Sequence, residues 1–189
     1  MADTYWTSDP HFNHAKIIEY CSRPYSSKEE MNEGLVKEFN QIVKPADTTY
    51  FLGDMSWGPF DFDRLNGKKI LILGNHDDPS KLSPYFEEMH YYLELKGFLP
   101  KSNILAMMHY PIESWNKKFH GSVHLHGHTH GTLDNSGMTR FDAGVDCWNM
   151  KPFCFDEIKE LIPIRKEQER AMKDELFKQL NERAERDAL

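Results

Sequence analysis

Residues 69–77 read Lys69-Ile70-Leu71-Ile72-Leu73-Gly74-Asn75-His76-Asp77. An unbroken apolar run stops at a glycine, and an amide, an imidazole and a carboxylate follow. A short continuous apolar run bounded by a turn residue fits a strand buried on both faces, as in a parallel sheet. The pattern recurs upstream, where Thr48 to Leu52 runs into Gly53-Asp54, and near the start, where Tyr5 to Thr7 runs into Ser8-Asp9. Helical segments lie between them. One is expected around His14 to Cys21, and a short one at Asp61 to Leu65. Another opens at Ser27, with Glu30 three residues on as a capping box, and runs toward Val43. Met31, Leu35, Phe39 and Val43 recur every four residues and so share one helix face. This half reads as β-α-β units.

Further strands are expected at Tyr91–Leu95, Asn103–Met108, Val123–His126 and Thr139–Val145, with helices only at Ser83–Met89 and Phe155–Leu161. The second half therefore reads as a more antiparallel layer. The fold class is α/β, with two packed mixed sheets flanked by helices. From Arg165 the sequence is densely charged, with Met172, Leu176 and Leu180 every four residues and Phe177 beside them. Residues 1–163 are expected as one domain. Residues 164–189 are expected as a charged amphipathic helix that packs back on it, or that pairs with a second copy to give a homodimer.

The chain has 189 residues and a formal net charge of -7. That balance argues against broad, nonspecific binding of duplex nucleic acid, which needs basic patches. A small anionic substrate stays open, because bound metal would reverse the local field. No apolar run is long enough for a membrane span, and the first residues do not read as a signal peptide. The three cysteines, Cys21, Cys147 and Cys154, are scattered and odd in number, which points to a reducing, cytoplasmic setting.

Five blocks carry the chemistry: Asp9-Pro10-His11, Gly53-Asp54, Gly74-Asn75-His76-Asp77, Met108-His109 and Gly127-His128-Thr129-His130. α/β folds collect their sites at the carboxyl ends of strands. Asp9 and His11, two apart, face the same way in extended chain. A mixed oxygen and nitrogen set suits Mn²⁺ or Fe, with Zn²⁺ a further fit, better than Ca²⁺. Four histidines alternate at 124, 126, 128 and 130, and at least two of them are expected to bind metal. His124 and His126 are expected as buried, hydrogen-bonded rings or as donors behind the ligands.

In kind and order these blocks resemble the calcineurin-like metallophosphoesterase superfamily, and the run from Thr7 to His14 and on to Arg23-Pro24 resembles its small, compact branch in bacteria and their phages. The resemblance implies a metallophosphoesterase-like β-sandwich and two divalent metals. Asp9, His11 and His130 would hold the first, Asn75, His109 and His128 the second, and Asp54 would bridge them. His76 would contact the substrate and serve as general acid, with Asp77 orienting its ring. Asn75, His14 and Arg23 would face the phosphate. The implied activity is hydrolysis of phosphate esters by a hydroxide held between the metals. A diester, which could be a nucleotide, is favoured over a monoester, on a small or terminal phosphate. The competing reading is a non-catalytic, His-rich metal-binding or interaction protein, for which an intact His76-Asp77 pair has no use.

Overall fold

The computed structural model describes residues 2–101, 103–135 and 137–187. The first sheet holds β1 (Thr4–Thr7), β2 (Thr48–Phe51), β3 (Lys68–Ile72), β4 (Glu88–His90) and, late in the chain, β9 (Phe153–Cys154). Its order is β4-β3-β2-β1-β9; the first four strands are parallel and β9 returns antiparallel along β1. The second sheet has the order β5-β6-β7-β8, from β5 (Tyr92–Leu95), β6 (Leu105–Met108), β7 (Val123–His126) and β8 (Arg140–Asp142).

The antiparallel expectation for the second half needs correction. Only β5 runs against β6, whereas β6, β7 and β8 are parallel. Their crossovers are loops, one carrying a 3₁₀ turn at Lys118–His120, so no helical periodicity betrays a parallel return. The helix expected at Ser83–Met89 is also displaced. The helical turn is α3 (Pro79–Leu82), capped by the Asp78 side chain with Pro79 at its first position, and Glu88–His90 joins the sheet edge.

Period-two alternation divides the core. Trp6, Leu52 and Ile72 of the first sheet share a buried cluster with Leu105, Met107, Val123, Leu125 and Phe141 of the second. On the other face of the first sheet, Phe51 and Leu71 meet α1 (Ala15–Tyr20) and α2 (Lys28–Ile42) through Ile17, Met31, Leu35 and Phe39. Helix α2 begins as expected, since the Ser27 hydroxyl accepts the Glu30 amide. The Glu30 carboxylate, however, reaches the Ser26 amide, one residue earlier than a strict capping box.

Two helices end the described chain: α4 (Phe155–Lys159) and α5 (Leu161–Asp187). Ile158 and Ile162 enter the core between the sheets. Met172, Leu176, Phe177 and Leu180 stay exposed. The last two residues of the expected helix, 188 and 189, lie outside the described residues. Among the described residues no helix is long and apolar enough to cross a membrane.

Candidate metal centre

Each of the five blocks follows a parallel strand: β1, β2, β3, β6 or β7. Their loops meet because the backbone bends sharply and packs closely. Gly53 has φ +99°, and a Cβ there would lie 2.6 Å from the Gly74 amide nitrogen and 2.7 Å from His109 Nδ1. At Gly127 a Cβ would collide with Ser8 Oγ and Asp9 Oδ2. Both loops therefore require glycine. Five of the seven expected ligands, Asp9, His11, Asp54, His128 and His130, sit in left-handed backbone with φ between 47° and 70°. Non-glycine residues avoid that region, and such strain clusters at functional sites.

Two groups form. Asp9, His11 and His130 offer ligand atoms that all lie within 4.8 Å of one another, and so do Asp54, His109 and His128. Asp54 Oδ2 stands between the groups, 3.7 Å from His11 Nε2 and 3.6 Å from His109 Nε2. Asp9 Oδ1 is 3.7 Å from His11 Nε2 and 3.9 Å from His130 Nε2. These gaps exceed hydrogen-bond length but suit donors around a common ion, whose own bonds would be about 2.0–2.2 Å. Asp9 Oδ1 and His11 Nε2 are buried and have no hydrogen-bond partner. Buried polar atoms are rarely left so, and a cation is the partner that both would accept.

The ligand rings are held from behind. His109 Nδ1 lies 2.6 Å from the Leu52 carbonyl, which can only accept, so this nitrogen carries the proton. In the neutral ring Nε2 is then a lone pair, facing Asn75 Oδ1 at 3.0 Å. Two acceptors placed so are the arrangement that a shared cation would satisfy. His130 Nδ1 donates to Asp146 Oδ2 at 2.7 Å, which turns Nε2 toward Asp9. Burial disfavours charge on His130, but Asp146 and Asp9 outweigh it and raise its pKa. Burial likewise opposes the Asp9 carboxylate, yet His11, His109 and His130 hold its pKa at about 2, so it is ionised. Burial and His109 lower the pKa of His128, which favours the neutral, ligating ring.

His76 lies beside this centre with its side chain 40% exposed and Nε2 3.9 Å from Asp54 Oδ2. Its amide donates to Asp54 Oδ1 at 3.0 Å. His14 stacks on Trp57 with ring centroids 4.6 Å apart, and Trp57 meets His76 edge-on. His14 thus reaches the edge of the site. His124 and His126 are fully buried on the face of β7 away from the shared core. His126 Nδ1 lies 2.8 Å from the Gly127 carbonyl, and its Nε2 faces Asn135.

Two expectations fail. Arg23 does not face a phosphate: its Nε and one Nη pair with both Asp146 oxygens at 2.8 Å, and its remaining donors reach the Asp9 and Pro10 carbonyls. Asp77 does not orient the His76 ring. Its carboxylate accepts the amides of Asp54, Met55 and Gly74, and so ties the β2 and β3 loops together.

No family model matches the sequence. It is 35% identical over 175 residues to the uncharacterized protein MJ1445 of Methanocaldococcus jannaschii, a match spanning 86% of this chain and 92% of that protein. The chain belongs to the MJ1445 family. It is also 28% identical over 198 residues to the Gene 66 protein of Mycobacterium phage D29, covering 86% of this chain and 96% of that one. Its fold is similar to that of AQ665, a protein of unknown function from Aquifex aeolicus, with TM-score 0.70 and 26% identity over 85% of this chain and 100% of that one.

In this member of the MJ1445 family the supports behind the ligands escape a reading of the blocks alone. Asp146 joins Arg23 to His130. Asp142 accepts Thr129 Oγ1 and the Gly131 amide, which shapes the loop bearing His128 and His130. The one trace of them is Asp142-Ala143-Gly144-Val145-Asp146, a pair of carboxylates straight after an apolar strand. Cys21 also approaches His130 and Asp146. It makes no separate centre, because Asp146 is committed to Arg23 and burial pushes the thiol pKa up to about 11.

Proposed function

We propose that the protein is a dinuclear-metal phosphoesterase of the calcineurin-like superfamily, with its two sheets as that superfamily's β-sandwich, and that it hydrolyses phosphodiesters. The observation that carries this is one oxygen, Asp54 Oδ2, at near-equal distance from a histidine of each ligand group. The ions would be Mn or Fe, with Zn also accommodated; when bound, they supply Lewis-acid polarisation of the phosphoryl group and acidify water.

The chain's own residues then have separate tasks. His76 is half-exposed, tethered through its amide to Asp54, and unneeded as a ligand. It gives a proton to the departing oxygen. Asp77 fixes the loops carrying Asp54 and His76. Asp146 and the Leu52 carbonyl keep His130 and His109 presenting Nε2 to the centre. With Arg23 committed to Asp146, no guanidinium from that position answers the second charge of a monoester, which favours the singly charged diester.

The test uses metal-stripped protein with Mn²⁺ added back, on bis-p-nitrophenyl phosphate beside p-nitrophenyl phosphate. Mn²⁺-dependent turnover of the diester is expected. His76→Ala should retain two metal equivalents while turnover of a diester with an unactivated alkyl leaving alcohol falls by about 10²–10⁴-fold. Turnover of the p-nitrophenyl ester, whose leaving group needs little protonation, should fall less. A wild-type protein that binds two metals and turns over neither ester would overturn the reading. Metal loss in His76→Ala would remove the role given to that ring.

A further inference from the structure

Beside His76 lies a cavity of about 560 Å³ that is lined by none of the candidate ligands. Ser56, Phe60, Phe62, Leu82 and Tyr85 line it, together with His76 and Asp77. Its walls are aromatic and held by ring contacts. Phe60 stacks on Phe12 at 3.8 Å, Phe62 meets Phe60 at 5.0 Å, and Tyr85 meets Phe62 at 5.4 Å. A concave, mainly apolar cavity of this size with a few polar groups is the usual form of a small-molecule site. Its charged residues are two carboxylates, Asp77 and Asp78, and one cation, the exposed Lys81. Lys81 pairs with Asp78 at 3.1 Å, and Asp77 is taken up by three backbone amides.

We infer that this cavity receives the leaving alcohol of the substrate, and that the alcohol is uncharged and carries a planar aromatic ring, as a nucleoside does. The inference rests on the phosphodiesterase reading. His76 is the wall shared by the metal centre and the cavity. Whichever oxygen it protonates therefore belongs to the group on the cavity side. In the reaction the phosphorus gains the oxygen of water and its bond to the leaving oxygen breaks. The proton from His76 goes to that oxygen, so the alcohol departs neutral into an apolar chamber. A second phosphate or a carboxylate on the leaving group would meet two carboxylates, Asp77 and Asp78, against the single Lys81, whereas a flat ring finds Phe60, Phe62 and Tyr85.

The test compares methyl p-nitrophenyl phosphate with methyl trifluoroethyl phosphate, whose leaving alcohols are aromatic and non-aromatic. The variants are Tyr85→Ala, which opens the wall, and Ser80→Trp, on an exposed residue that lines the cavity. The ratio of kcat/KM for the aryl over the trifluoroethyl ester should fall about tenfold in each. Saturation-transfer NMR on metal-free protein should show adenosine and p-nitrophenol bound by the wild type, with the signal weakened in both variants. A hydrolytic wild type whose two esters respond equally to both substitutions would overturn the cavity assignment and leave the phosphodiesterase reading intact. Ring binding that follows the variants in a protein without turnover would uphold the cavity as a ring site and sink the hydrolytic reading. Neither probe bound by the wild type would also overturn the assignment.

Discussion

Arg23 has its side chain fully enclosed, giving two donors to Asp146 and others to the Asp9 and Pro10 carbonyls. Removing one partner of a buried ion pair strands the other charge, at a cost of about 3–5 kcal/mol. Arg23→Met should therefore lower the unfolding free energy measured by chemical denaturation by that amount. A variant of unchanged stability with a raised KM would restore the phosphate role for Arg23. Asp146→Asn weakens both duties of that carboxylate, toward Arg23 and toward His130. It keeps the shape but offers His130 a weaker acceptor, and metal affinity at the group of Asp9, His11 and His130 should fall about 10–100-fold. Metal titration of wild type and variant checks this. That these Asp, Asn and His side chains gather at one place was legible in the sequence, because they crowd the ends of apolar strands. Arg23 was misread because an arginine before a proline carries no sign that its charge is already spent. Its partner lies 123 residues away.

At the scale of elements, β7 shows how one strand serves two environments. Val123 and Leu125 face the core between the sheets, and His124 and His126 occupy the opposite face, also fully buried. His124 Nδ1 donates to the Ala106 carbonyl at 3.1 Å, and its Nε2 accepts the Ile112 amide at 3.3 Å. Burial, with His126 alongside, pushes its pKa down to about 3. An ordinary histidine in the unfolded chain titrates near 6.5. Below that pH the unfolded state takes up a proton that the native state refuses, so stability is full above pH 6.5 and is lost as the pH falls toward 3. The loss from His124 should reach about 2 kcal/mol by pH 5. Denaturation of metal-free protein at pH 7 and pH 5 measures it, and His124→Gln should flatten the dependence. Long elements were the readable ones. The four-residue spacing of Met31, Leu35, Phe39 and Val43 describes α2 and the residue after it, and all four are buried. The three residues of β4 and the four of α3 are too short to set a period, and the loop crossovers of the second sheet looked like hairpin connections.

For the whole molecule, the feature that matters most is that the two ligand groups draw on both sheets. Asp9, His11, Asp54 and Asn75 follow strands of the first sheet, and His109, His128 and His130 follow strands of the second. Anything that binds the native arrangement and not the unfolded chain adds its binding free energy to stability. Chelation should therefore lower the melting temperature of the entire molecule in one transition, and added Mn²⁺ should restore it. Equal melting temperatures with and without metal would count against a centre that joins the sheets.

That arrangement also has a consequence in time. A chain emerging from the ribosome completes its first four strands early, yet each candidate group then still lacks its later histidines. His130 comes late, and Asp146, which aims it, later still. A fragment short of that point lacks the full group of Asp9, His11 and His130 and the carboxylate that aims His130. If the centre holds metal, the group of Asp9, His11 and His130 would therefore fill only near the end of synthesis.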